Sequence, residues 1–422
     1  MRWAFLCAIA WFAALGLAQA SSGDSPQDSR SKFSGTVVDS QGELLTGVRV
    51  DISTAAPKVG QGIFCPSCYR DCGKWSRTNE LGEFVIDGLD ASLNFRLVAA
   101  APGYRASQTD LIDPESGAVK ITLEKLPIDI PSERILNGVV LSELGIPIEG
   151  ALVEPLGAKT DSKRWWGQVE VDSTVTDHWG RFSLILPKEY KAVDIRVFAD
   201  GHCAFQSDLL SPGSSVAELK LVDGARVSGK LVLAGKPVPN MSIAVVQVDR
   251  SVQNGIFIKA VSGVTGEDGT FQFQHLPANQ KYAIFSVVGD AKLAKSEYVL
   301  ATKTFSVAGS GQTRNLGELT VTKPMTIRGK VVRADGLSLS SNTKVMFGRD
   351  PAWDLISVSP NEDGTFAIDG LPPETYEVSV MGRGLSIVTD GFPYQMLGTQ
   401  SFGVHLSNSQ SAYDISIPVK SN

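Results

Sequence analysis

Histidine and cysteine are scarce in this chain, with four of the first and five of the second among 422 residues. The histidines, His178, His202, His275 and His405, stand in the contexts HWGR, HCAF, HLPA and HLSN. None opens the His-x-x-Glu pattern with which a hydrolytic zinc centre gathers three protein ligands and leaves a fourth position for water. A G-x-S-x-G nucleophile elbow and a G-x-x-x-x-G-K-[ST] phosphate loop are also missing. Basic residues do not predominate: 39 Lys and Arg face 45 Asp and Glu, a formal net charge of −6. The cationic excess that neutralises phosphates is therefore lacking, which excludes nucleic acid as a partner. After the first twenty residues no second run of 18 apolar residues follows, so no membrane span is expected once the leader has gone.

What is present begins with MRWAFLCAIAWFAALGLAQA, an early Arg, an apolar run and an Ala18-Gln19-Ala20 ending. That pattern predicts a secretory signal over 1–20, removed with Cys7, and an exported product in the periplasm, at the cell surface or secreted. The polar SSGDSPQDSRSK stretch, 21–32, reads as a disordered leader, with folding from Phe33.

Self-similarity is the strongest signal. FSGTVVDSQGELLTGVRVDI, LNGVVLSELGIPIEGALVEP, VSGKLVLAGKPVPNMSIAVV and IRGKVVRADGLSLSSNTKVMF each place a glycine early in an alternating run, then a turn, then a second alternating run. Downstream come TNELGEFVIDGL, TDHWGRFSLIL, TGEDGTFQFQHL and NEDGTFAIDGL, which share a turn, a glycine, one residue and then Phe84, Phe182, Phe271 or Phe366. Glycine supplies the left-handed turn residue, and the alternation that follows sends each phenylalanine to the core face. The leading glycines, Gly35, Gly138, Gly229 and Gly329, lie 103, 91 and 100 residues apart, which is the length of a whole domain. With no long amphipathic helix in view, the expected fold is all-β, a tandem array of four seven-stranded β-sandwich domains. They are placed at 33–126, 134–222, 225–322 and 325–420, joined by short linkers.

The strand, turn, strand order, the Thr/Asp-x-x-Gly-x-Phe turn and APGYRAS (101–107) resemble the carboxypeptidase regulatory-like domain. The resemblance covers all four units and weakens in the last, where the hairpin degrades to GLSLSSNTK. It implies a transthyretin-like sandwich used as a non-catalytic support or binding module. The hydrolases of this fold end in a Tyr-Arg-Gly-Ser-type tail, and this chain ends IPVKSN.

Two groups of residues stand out as candidate sites. Cys65, Cys68 and Cys72, spaced C-x2-C-x3-C in the first unit, form structural disulfides with one another or with Cys203 in an exported protein, or hold a zinc ion. Tyr69 stands where a c-type haem attachment needs histidine. The insertion between the hairpin and the Gly-x-Phe turn differs in every unit, and Trp75, Trp165, Trp166 and Trp353 fall in or beside these insertions. Such rings stack on a sugar or anchor a protein contact when exposed, and cap the sandwich end when they are not. The adjacent pair Trp165 and Trp166 is the leading contact candidate, because neighbours on a strand point to opposite faces and one of the two must look outward. The resulting expectation is a non-catalytic binding or spacing protein of the bacterial envelope, its partner an extracellular glycan or an envelope protein. The alternatives are a metal- or redox-active accessory protein built on the cysteine loop, and a hydrolase of unrecognised type.

Overall fold

The structure, a computed structural model, describes residues 30–59, 62–63, 69–167, 169–213, 215–249, 261–287, 297–349, 352, 354–382, 384–387, 394–396 and 399–421. The expected signal, 1–20, and most of the expected leader, 21–32, lie outside the described residues. The chain is all-β, and among the described residues the one helical turn is the 3-10 piece Ser132–Arg134. No helix among them is long and apolar enough to cross a membrane. The opening strand runs Arg30–Asp39, so regular structure starts three residues before the expected Phe33. Arg30 and Ser31 pair with Asp90 and Leu89 before the register shifts at Phe33.

One pairing scheme occurs four times. The opening strands Arg30–Asp39, Ile135–Ser142, Ala225–Leu233 and Met325–Arg333 each lie antiparallel to the strand after the Gly-x-Phe turn. Each also lies parallel to the closing strand of its own segment, Val119–Lys125, Val216–Leu221, Thr313–Thr320 and Ala412–Ser421 respectively. A second sheet packs on the first. Its central pairs are Arg49–Pro57 with Leu93–Ala100, Leu152–Lys159 with Ala192–Phe198, Ser242–Gln247 with Gln280–Ser286, and Lys344–Arg349 with Thr375–Met381. Four buried apolar clusters fill the spaces between these sheets.

The leading glycine and the phenylalanine are direct cross-strand partners in all four segments: Gly35 with Phe84, Gly138 with Phe182, Gly229 with Phe271, Gly329 with Phe366. A Cβ built on Gly138 would stand 2.2 Å from the Phe182 ring, and one on Gly329 2.3 Å from that of Phe366. The ring therefore lies across the core-facing strand position that glycine leaves bare, an aromatic covering the gap of its partner. All four rings are buried.

A second device is shared by three segments. Thr78, Thr176 and Thr265, just before the turn, are buried and each joins two backbone groups of the preceding hairpin. Thr78 Oγ1 accepts from the Val48 amide at 2.9 Å and donates to Leu45 O at 2.6 Å, and Thr176 and Thr265 repeat this with Ala151 and Ile148 and with Met241 and Val238. The fourth segment has Pro360 at this place. There Thr343 Oγ1, on the neighbouring hairpin, is buried with no hydrogen-bond partner among the described residues.

The segments pack on one another. In the third, Ile243, Val245, Tyr282 and Ile284 face their own core, while Ala244, Val246, Ala283 and Phe285 on the opposite face join the core cluster of the first segment. The first segment also lends Gly62–Ile63 to the edge of the fourth, where it pairs with Asp354–Val358. Arg349 of the fourth, fully buried, reaches into the third. Its Nη2 donates to Ser286 O at 2.8 Å, its guanidinium lies 5.3 Å from the Phe285 ring, and Glu374 stands 3.5 Å away while accepting from the Thr302 hydroxyl.

Candidate functional site

The outer faces of the second sheets of the first three segments meet around a cleft of about 700 Å³. On Arg49–Pro57, Val50 and Ile52 alternate into the core, which turns Arg49 and Asp51 outward beneath the neighbouring segments. Arg49 is held in a fork: Nε donates to Asp51 Oδ2 and Nη2 to Oδ1, both at 2.9 Å, while Nη1 donates to Gly150 O of the second segment at 2.9 Å. A buried charge needs such a pair, and the third bond fixes the first segment on the second. A Cβ on Gly150 would stand 1.6 Å from Arg77 Nη2, and Arg77 in turn reaches Glu149 at 2.7 Å.

Trp75, on the short strand Trp75–Arg77 beside Arg49–Pro57, forms part of the wall. One face of its indole carries the Arg49 guanidinium at 4.2 Å, and its Nε1 donates to Asp200 Oδ1 of the second segment at 3.3 Å. The ring is oriented from two sides before any ligand arrives. Phe198 and Leu152 add apolar surface, and Ser173, Ser262 and Gln274 add neutral polar groups. The charged lining, Arg49, Arg70 and Lys74 against Asp51, Glu154 and Asp200, balances. Much of it is already paired: Glu154 with Arg196 at 2.8 Å and Lys74 with Asp71 at 2.6 Å, while Arg70 approaches the Ser242 hydroxyl of the third segment at 3.5 Å. His202 and His275, from the second and third segments, also line the cleft and both approach Asp223, His202 Nδ1 at 3.6 Å from Oδ1 and His275 Nδ1 at 3.0 Å from the carbonyl. His275 has φ +58, a left-handed conformation uncommon for a residue with a Cβ.

Of the tryptophans singled out in the sequence, Trp75 is in the cleft. Trp165 and Trp166 lie on Arg164–Trp166, opposite Ala158 and Gly157, and both are half-buried. Trp165 packs on the second core with its ring edge-on to Tyr190 at 5.4 Å. Trp166 points to the other face, under the Arg164 guanidinium at 5.4 Å. Trp353 lies outside the described residues, as do Cys65 and Cys68. Cys72 lines the cleft and packs against the first core. Cys203 is a buried thiol beneath the linker to the third segment, where a Cβ on Gly224 would lie 1.9 Å from its Sγ. Burial, with Asp223 nearby, pushes the Cys203 thiol up to about 12. Among the described residues no disulfide is present, and no group of three His, Cys, Asp or Glu side chains is arranged to hold a metal ion.

Sequence reasoning missed Arg49, Asp51, Asp200 and the two histidines. The available signal was an Arg-x-Asp pair on a strand whose alternate residues are apolar, since both charges then face away from the core on one side.

No protein-family model matches the chain, and neither does any curated protein. Among solved structures it is similar to the Bacillus anthracis TIE protein, at 13% identity over 95% of this chain and 77% of that one, with a TM-score of 0.20. It is also similar to a Streptococcal ancillary pilin, at 12% identity over 69% of this chain and 99% of that one, with a TM-score of 0.25. The major pilin subunit of Bacillus cereus, BcpA, aligns at 11% identity over 70% of this chain and 99% of that one, with a TM-score of 0.19. These likenesses concern the all-β fold alone.

Proposed function

We propose that this is an exported, non-catalytic binding protein of the bacterial envelope, and that its ligand is a glycan seated in the cleft between the first three of four modules. The modules are taken at 33–126, 134–222, 225–322 and 325–420, of the carboxypeptidase regulatory-like kind that the repeated motifs resemble. The observation that carries the reading is Trp75: a flat apolar ring in a cleft wall, fixed by Arg49 on its face and Asp200 at its N–H. An aromatic platform flanked by planar guanidinium and carboxylate edges, in a lining whose charges balance, suits a ring of hydroxyls better than an ion. The cleft also requires three modules to exist, which gives the tandem arrangement a purpose beyond length.

Calorimetric titration of the full chain with soluble cello-, chito- and malto-oligosaccharides tests this. Binding by at least one series, abolished in Trp75→Ala while the melting temperature is kept, is the expected result. Binding that is unchanged in Trp75→Ala, or absent from every series, contradicts it.

A further inference from the structure

We propose that the cleft is one end of a longer track for a linear, uncharged oligosaccharide, which continues along the outer face of the second segment's sheet and ends on Trp166. The proposal rests on the cleft reading above and adds the length and charge of the ligand.

On Ala192–Phe198, Val193, Ile195 and Val197 enter the core, so Asp194, Arg196 and Phe198 share the outer face. The neighbouring strand sets Leu152 opposite Phe198 and Gly157 opposite Asp194, and Gly157 pairs with Trp166 on its other side. Phe198 and Glu154 belong to the cleft lining, whereas Asp194 and Trp166 lie beyond it. Four residue steps along the strand separate Phe198 from Asp194, about 13 Å at roughly 3.3 Å per step. Acid, base and ring alternate along this path. Arg196 bonds Glu154 at 2.8 Å and lies 4.8 Å from the Phe198 ring, then Arg164 bonds Asp194 at 2.8 Å and lies 5.4 Å from the Trp166 ring. Each charge has its opposite, so the face presents edges and rings without net charge, and an ionic ligand of either sign meets its own sign as often as its complement.

One atom on the track is left wanting a donor. Asp194 is fully buried, and its Oδ1 accepts from Arg164. Its Oδ2 has no hydrogen-bond partner among the described residues. Such an acceptor costs free energy unless something donates to it. Gly157 lets the chain pass close beside it, since a Cβ there would lie 3.1 Å from Oδ2 and 2.7 Å from the Trp165 carbonyl oxygen. The side chain of Arg164 is 42% exposed and stands at the surface end of the pair, so it is the group that leans aside for a hydroxyl to reach Oδ2. A hydroxyl donates without bringing charge, and the Trp166 ring beside it supplies the stacking face. That pairing of demands selects a neutral sugar.

Chain-length dependence tests the track separately from the cleft. The full protein is titrated with the dimer and the hexamer of whichever neutral series binds, and with a hexamer of galacturonate. Expected is a hexamer affinity well above that of the dimer, reduced roughly tenfold toward the dimer's in Trp166→Ala with dimer affinity unchanged, as the loss of one aromatic contact implies. Equal effects on dimer and hexamer, no effect on either, or tighter binding of the galacturonate hexamer overturns the track while leaving the cleft intact. Undiminished dimer binding in Trp75→Ala removes the cleft reading, and the track with it. The melting temperature of each variant shows whether it is folded.

Discussion

The pairing of a bare glycine with a phenylalanine opposite it turns a sequence pattern into a packing unit. Because the ring occupies the space a Cβ would need, the two positions change together or not at all. Phe84→Ala or Phe271→Ala is expected to cost about 3 to 5 kcal/mol in chemical denaturation, the range for emptying an aromatic core site. Gly138→Val is expected to destabilise as well, through the Phe182 contact; an unchanged midpoint in either experiment contradicts the assignment. The glycines and phenylalanines were legible because they recur four times. The threonine that ties each turn to the hairpin is equally repeated in three segments, yet its role is not legible there, since its two bonds depend on burial that spacing does not reveal. Cys203 shows the opposite limit. Its spacing said nothing of the closed pocket under Gly224, in which the thiol, pushed up to about 12, stays protonated at neutral pH. Native protein at pH 8 should leave Cys203 unalkylated by iodoacetamide over hours and react in guanidinium; rapid native labelling is the contrary outcome. Asp194 adds a pH signature. Burial raises its carboxyl above the ordinary value of 3.8, so the folded state binds that proton more tightly than the unfolded chain does. Stability from this group is therefore lost as pH rises from 3.8 through the raised value, and Asp194→Asn should flatten that part of the melting-temperature profile.

At the scale of strands, the sequence separates those with one buried face from those with two. Thr270–Leu276 alternates, whereas SIAVVQ and the YAIF of QKYAIFS are nearly continuous apolar runs. Continuous runs mark strands covered on both sides. Here the second cover is the first segment, so the third segment packs back on the first, where domain-length repeats alone predict a row of separate modules. What periodicity cannot supply is the identity of the covering surface, because an apolar outer face fits many partners. The junction between the third and fourth segments depends on Arg349 in the same way. Truncating fully buried Arg349 leaves the half-buried Glu374 beside an empty place, so Arg349→Ala should cost about 3 kcal/mol, and Arg349→Met, which keeps the volume, less of the packing. Equal stability of wild type and Arg349→Ala in urea would show that the guanidinium adds nothing to the junction.

For the whole molecule, shared packing changes what cutting the chain does. Domain-sized repeats by themselves predict that a cut between Val222 and Arg226 gives two soluble halves. The apolar face of Ala244, Val246 and Phe285 predicts instead a carboxy-terminal half that binds a hydrophobic dye and loses that binding when the amino-terminal half is added. Two halves that ignore each other and the dye contradict this. The recurring motif and the all-β sandwich class were readable from the chain; the cleft was not, since it is made by three segments whose contacts, Arg49 to Gly150 and Trp75 to Asp200, join residues about a hundred or more positions apart. The measurement that tests the central claim most directly is hydrogen exchange on the full protein with and without a saturating neutral oligosaccharide. Protection should appear together at 49–53, 74–77, 152–154, 198–202 and 261–264, the backbone around the cleft in all three segments. Protection confined to one segment, or falling only on residues away from the cleft, would contradict a ligand seat shared by three.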